Sequence, residues 1–175
     1  KVREILGSLI YGMDEQTLED VLGRLLFERK KTIAVAESCT GGLIGSRITN
    51  ISGSSRYFER GVVTYSNQSK TELLKIPPEL IEKHGAVSEE IALLMAEGVR
   101  KLAGTDFGLS VTGIAGPTGG TPQKPVGLVY IGFAYESDSF AERFIFGQDR
   151  RSNRERAAQA ALNVVRLFML NGQRI

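Results

Sequence analysis

The sequence predicts an α/β fold, a mixed β-sheet flanked by helices in a single three-layer-like domain. Three observations predict it. Amphipathic helical stretches alternate with short β-rich runs as far as residue 113. Two adjacent apolar runs, 126–135 and 140–146, are then joined by a polar turn and read as a hairpin, which makes the sheet mixed. The 175 residues amount to one domain at about 150 residues per domain.

Asp14 is placed to cap a first helix reaching about residue 29, with Leu18, Val21, Leu22, Leu25 and Leu26 recurring on one face. Residues 32–36 read as a short buried strand, and Ser38-Cys39-Thr40-Gly41-Gly42 as a tight turn into a second helix ending near Asn50. After the loop 52–55, residues 61–65 read as a strand, followed by a short helix carrying Lys70, Leu73 and Leu74 that Pro77-Pro78 breaks. Ser88, Glu89 and Glu90 open another helix, because a hydroxyl cap and first-turn carboxylates suit the positive end of the helix dipole. Ile91, Leu94, Met95, Val99 and Leu102 form its buried stripe. Residues 107–111 form a strand leading into the loop 113–125, whose length and Gly-Pro content mark a functional segment. The hairpin turns at 136–139, Glu-Ser-Asp-Ser. Residues 148–150 lead into the last helix, where Ala157, Ala161, Val164, Val165 and Phe168 face the core and Gly172 is the stop.

Apolar residues make up 42% and charged residues 24% of the chain, an ordinary globular balance. The small counts exclude more. A single cysteine, Cys39, cannot form an internal disulfide, and with the single histidine, His84, it cannot build a Cys/His zinc site. No metal is therefore expected, and a triad with a histidine base would have to use His84. The run 126–135 is too short to span a bilayer, and no signal peptide opens the chain, so the cytoplasm is the expected location. A net charge of +2 is too small to argue for nucleic acid. The chain starts at Lys1 and its first methionine is Met13, which suggests a piece of something longer.

Three polar loops, 37–42, 112–120 and 147–151, are expected near strand ends, sharing one crevice. In the first, Ser38 sits where a strand turns into a helix, whose N–H groups could hold an oxyanion or a phosphate. Equally, Ser38 or Thr40 could simply cap the helix while Gly41-Gly42 permits close packing. In the last, Arg150, Arg151 and Arg154 crowd a helix start that already carries partial positive charge. An anion site there is preferred to the alternative, in which Asp149 caps the end and the arginines fan into water. Tyr65 falls near a strand end and Lys70 on the next helix. With no spare histidine, lysine is the natural base for a serine, provided burial or a neighbouring cation strips its proton. The segment is not the S-x-x-K pattern of penicillin-recognising enzymes, because Ser66 lies four residues before Lys70. His84 reads as a helix C-terminal residue and Cys39 as a small buried filler rather than a nucleophile.

Five ordered motifs complete the reading: 36–42, AESCTGG; 53–55, GSS; 61–67, GVVTYSN; 84–88, HGAVS; and 113–117 through 124–127, GIAGP with KPVG. Together, over about residues 15–170, they resemble the carboxy-terminal domain of the CinA competence/damage-inducible family. That resemblance implies a nicotinamide-nucleotide amidohydrolase, which converts nicotinamide mononucleotide to nicotinate mononucleotide and ammonia in pyridine nucleotide salvage. It implies a serine/lysine mechanism with no cofactor. Carried over by motif, Ser38, Ser55, Tyr65, Lys70, Thr112 and Arg150 occupy the family's functional positions. Ser55 is slightly preferred as nucleophile with Ser38 assisting, and Lys70 as the base. Arg150 is expected to take the 5′-phosphate. Thr112 with Gly41, Gly42, Gly113 and Gly116 is expected to line the nucleotide site. Residues 1–14 resemble the linker to an N-terminal domain with ADP-ribose pyrophosphatase activity, leaving 15–175 as the amidohydrolase domain.

The implied partner is the nucleotide substrate, with no membrane, and a homo-oligomer, a dimer first, is expected. A second reading is a non-catalytic nucleotide-binding module that supports the N-terminal domain. DNA binding ranks last, because Asp149 and Glu155 interrupt the positive charge.

Overall fold

The computed structural model describes residues 5, 7, 10–136 and 138–172. Its elements follow in the order α1 (Leu18–Glu28), β1 (Ile33–Glu37), α2 (Leu43–Thr49), a 3₁₀ turn (Ser54–Arg56), β2 (Phe58–Val63), α3 (Asn67–Leu74), α4 (Pro78–His84), α5 (Glu89–Ala103), β3 (Phe107–Gly113), β4 (Leu128–Tyr135), β5 (Asp138–Ile145) and α6 (Arg150–Asn171). The five strands lie in the order β2-β1-β3-β4-β5. β1 runs parallel to both β2 and β3, while β3, β4 and β5 are successively antiparallel. This is the mixed sheet the alternation and hairpin predict.

Period-two alternation sorts the strands between two helical layers. Ile33 and Val35 join Leu109, Val111, Ile131 and Phe133 beneath α1, α2 and α6. Ala34 and Ala36 turn to the opposite face, where they meet Ile91, Met95 and Val99 of α5. Each large side chain so buried contributes about 1.5–3 kcal/mol relative to exposure. On the second face α5 lies very close to the sheet. A Cβ at Gly132 would fall 2.3 Å from Ala92 O, and one at Gly108 2.1 Å from Ala96 O, so only glycine fits. Among the described residues no helix is long and apolar enough to cross a membrane.

Several boundaries differ from the sequence reading for local reasons. The first helix is capped by Thr17, not Asp14: Thr17 Oγ1 accepts from Asp20 N, and the Asp20 carboxylate accepts from Thr17 N at 2.9 Å. Neither Ser38 nor Thr40 caps α2, whose N-cap is Gly42 with no side-chain bond of its own. Pro77-Pro78 ends one helix as expected, but Pro78 also begins α4, since proline's missing N–H costs nothing in a first turn. α4 ends at His84, the C-terminal position read from the sequence. β2 starts at Phe58, earlier than read, and Val126 and Gly127 belong to the loop before β4. In the hairpin turn Glu136 takes a left-handed φ of 45°, and Ser137 lies outside the described residues.

The register places the chemistry. Glu37, at the end of β1, lies beside Val63 of β2 and Val111 of β3, while Leu128 of β4 faces Ile145 of β5. One end of the sheet, where β1, β2 and β3 finish, therefore carries Ser38, Thr64-Tyr65, the loop after Gly113 and the entry to α6.

Candidate active site

Glu37 ends the buried strand β1 and is itself 1% exposed. Its carboxylate turns back onto α2, where Oε2 accepts from Gly42 N (3.0 Å) and Ile44 N (3.1 Å) and Oε1 from Gly45 N (2.8 Å). The protein's own carboxylate thus fills the helix start that the sequence offered to an oxyanion or phosphate. Gly41 and Gly42, at φ +62° and +93°, close this turn. They shape its backbone and do not line the cavity beside it, where the turn instead contributes Ser38 and Cys39.

Lys70 comes from α3, whose N-cap Ser66 accepts from Ser69 N at 3.0 Å. Its side chain is 1% exposed. Nζ lies 3.3 Å from Ser38 Oγ and donates to Thr64 O at 2.7 Å. Both partners are neutral, so burial of the ammonium holds its pKa below the ordinary lysine value. A neutral amine so placed can accept the proton of the Ser38 hydroxyl, which creates a nucleophile without histidine. The neighbouring Cys39 thiol is pushed up to about 12 by burial, so it stays protonated at neutral pH and fills space.

Ser38 and Lys70 open into a cavity of about 290 Å³, also lined by Thr112, Gly113, Gly116 and, at its mouth, the exposed Tyr65 and Arg150. Arg150 Nη2 donates to Tyr65 Oη at 3.0 Å and Nη1 to Gly116 O at 3.0 Å. The walls are tied by donors on main-chain carbonyls. Thr112 Oγ1 donates to Ala86 O at 2.7 Å, and Lys124 Nζ to His84 O and Val87 O at 2.8 and 2.7 Å. Asn153, 1% exposed, donates to Ala115 O and Gly147 O at 2.9 and 3.0 Å. Arg154 donates twice to Thr40 O, at 2.7 and 3.2 Å.

The structure brings together Ser38, Tyr65, Lys70, Thr112, Gly113, Gly116 and Arg150, and it separates Ser55 from them. Ser55 is exposed in the 3₁₀ turn that precedes β2, whereas the cavity lies beyond β2's far end. The six residues of β2 span about 20 Å at 3.3 Å each. Ser55 is therefore out of reach of Lys70 within one chain. The arginine cluster also disperses. Asp149 caps α6 by accepting from Ser152 N at 2.7 Å, and Arg151 pairs with Glu155 at 3.0 Å in solvent. Arg154 spends its donors on Thr40 O, so Arg150 alone of the three lines the cavity.

Glu37, Lys124 and Asn153 escaped the sequence reading. Two of them carry a readable signal. An acidic residue closing a fully apolar strand requires donors, and Asn153 precedes Ala157 and Ala161 on one helical stripe, where a polar side chain must find partners.

A family model, the CinA C-terminal domain, matches residues 15–169. A CinA-like protein of Syntrophus aciditrophicus is 54% identical over 168 residues, covering 95% of this chain and 40% of the relative. A CinA-like protein of Kosmotoga olearia is 50% identical over 170 residues, covering 97% and 41%. The chain thus spans about two-fifths of the length of these curated relatives. Among solved structures, competence damage-inducible protein A from Klebsiella pneumoniae superposes with a TM-score of 0.86 at 30% identity, covering 89% of this chain and 97% of that one. The competence/damage inducible protein of Agrobacterium tumefaciens gives 0.82 at 34% identity, covering 93% and 99%. The chain belongs to the CinA C-terminal domain family.

Proposed function

We propose that residues 15–175 form a cytoplasmic amidohydrolase that converts nicotinamide mononucleotide to nicotinate mononucleotide and ammonia. The observation that carries this reading is the buried Lys70 amine 3.3 Å from the Ser38 hydroxyl, with only neutral partners around it. Ser38 Oγ attacks the carboxamide carbon as its proton passes to Lys70 Nζ, and backbone N–H groups of the loop after Gly113 hold the oxyanion. Lys70 then protonates the departing nitrogen. Water, activated by the same amine, opens the Ser38 ester and releases the acid.

Support for the substrate class comes from the polarity of the cavity. Its interior holds the nucleophile and base, and its mouth holds Arg150, a planar donor suited to a phosphate. Tyr65 occupies one Arg150 nitrogen in the free protein, and phosphate oxygens replace that phenol on binding. Ser38, rather than Ser55, is the nucleophile in this mechanism, because it alone of the two reaches Lys70.

The test is ammonia release from nicotinamide mononucleotide by the purified chain, with Lys70→Ala as the matched control. Release that disappears in a folded Lys70→Ala protein is expected. A folded wild-type protein that releases none at millimolar substrate refutes the assignment.

A further inference from the structure

Among the described residues that line the cavity, Lys70 is the group beside Ser38 that can serve as a base in both halves of a covalent reaction. Among the described residues no carboxylate and no histidine lines it. The Glu37 carboxylate is committed to three backbone N–H groups, and His84 faces Glu90 at 3.1 Å. The Tyr65 phenol oxygen at the mouth accepts from Arg150 Nη2 at 3.0 Å, and the Cys39 thiol, pushed up to about 12 by burial, keeps its proton. Lys70 itself is anchored between Thr64 O and Ser38 Oγ and buried from solvent.

One fixed base imposes a geometric consequence, which rests on the serine/lysine reading above. The nitrogen that leaves the substrate takes its proton from Lys70 Nζ, and the molecule that opens the Ser38 ester gives its proton to the same atom. Leaving group and incoming nucleophile therefore occupy one position in turn. That position has just accommodated ammonia, so it accepts a small neutral nitrogen nucleophile as readily as it accepts water.

We propose that this cavity is also an acyltransferase site, in which small neutral amines of the hydroxylamine type intercept the Ser38 ester and leave as N-substituted amides. The amine lone pair forms a C–N bond to the acyl carbon, and the bond from that carbon to Ser38 Oγ breaks. One N–H proton passes to Lys70 Nζ and from there to Ser38 Oγ, which returns the enzyme to its starting state. Nothing is oxidised or reduced. Ammonia itself, entering the same way, regenerates the substrate amide.

The experiment incubates the unaltered protein with nicotinamide mononucleotide and increasing hydroxylamine at neutral pH. Ammonia, acid and hydroxamate are followed separately, the last by its iron(III) complex and mass. The hydroxamate is expected to account mole for mole for the acid that is lost, while ammonia release is not reduced. The Ser38→Ala protein is expected to form no hydroxamate above the protein-free background. Undiminished acid with no hydroxamate overturns the acyltransferase inference and leaves amide hydrolysis standing. Hydroxamate formed by Ser38→Ala at the unaltered protein's rate also overturns it, because the product then arises without the ester. Absence of ammonia release with either nucleophile removes both this inference and the hydrolase reading beneath it.

Discussion

Arg154 grips the carbonyl oxygen of Thr40 with two guanidinium N–H groups, at 2.7 and 3.2 Å. Through that grip the first turns of α6 are tied to the turn carrying Ser38, and Arg150 and Asn153 tie the same helix segment to Gly116 and Ala115. The two walls of the cavity are thereby referenced to one helix.

Replacing Arg154 by lysine keeps the charge and loses the two-pronged geometry. The expected result is a fall in kcat of up to about 100-fold, the scale of a 1 Å misplacement of a reacting group, with a smaller change in KM. Steady-state kinetics on a variant shown to be folded checks this. Equal losses in kcat and in the amount of folded protein would mean that Arg154 supports only the fold.

Asn153→Leu removes the donor from two carbonyls, and each orphaned group costs about 1–3 kcal/mol. Urea unfolding should show a lower midpoint. Because Ala115 and Gly116 line the cavity beside Arg150, KM should rise more than kcat falls. A midpoint unchanged from wild type contradicts the role given to these bonds.

Lys70 links activity, stability and pH. Its folded pKa is depressed by burial, so the unfolded chain holds the proton more tightly than the native one. Stability therefore rises with pH through the window between the depressed folded value and the ordinary lysine value, and below that window the burial cost is present in full. Lys70→Met, close in length and uncharged, should melt at a higher temperature than wild type at neutral pH and be inactive. Lys70→Arg stays charged at every accessible pH and should be inactive throughout. For the wild type, kcat/KM should rise with pH as Lys70 loses its proton. A profile that falls over that range would exclude Lys70 as the base.

Much of this architecture was legible in the sequence. Helical spacing from Leu18 to Leu26 and in the Ile91–Val99 stripe, with the paired apolar runs after residue 126, was sufficient for a mixed sheet between helical layers. Ser38 and Lys70 were legible as candidate site residues, Lys70 because the lack of a spare histidine narrows the choice of base, and the structure sets them 3.3 Å apart. Ser55 falls away from the cavity for a topological reason. It is nearer than Ser38 to Lys70 along the chain, but β2 runs between Ser55 and the site, whereas parallel pairing of Glu37 with Val63 sets Ser38 beside Thr64. The arginine cluster disperses in the structure because charge at a helix start says nothing about which carbonyls the fold brings near. Lys124 and Arg154 act on main-chain oxygens, and no side-chain pattern encodes where those oxygens will lie.

The assignment of Ser38 is tested most directly by measuring kcat/KM for deamidation of nicotinamide mononucleotide in Ser38→Ala and Ser55→Ala side by side. A loss of at least about 1,000-fold in Ser38→Ala, as expected for a missing nucleophile, is predicted together with near wild-type activity in Ser55→Ala. Activity retained in Ser38→Ala and abolished in Ser55→Ala would contradict it.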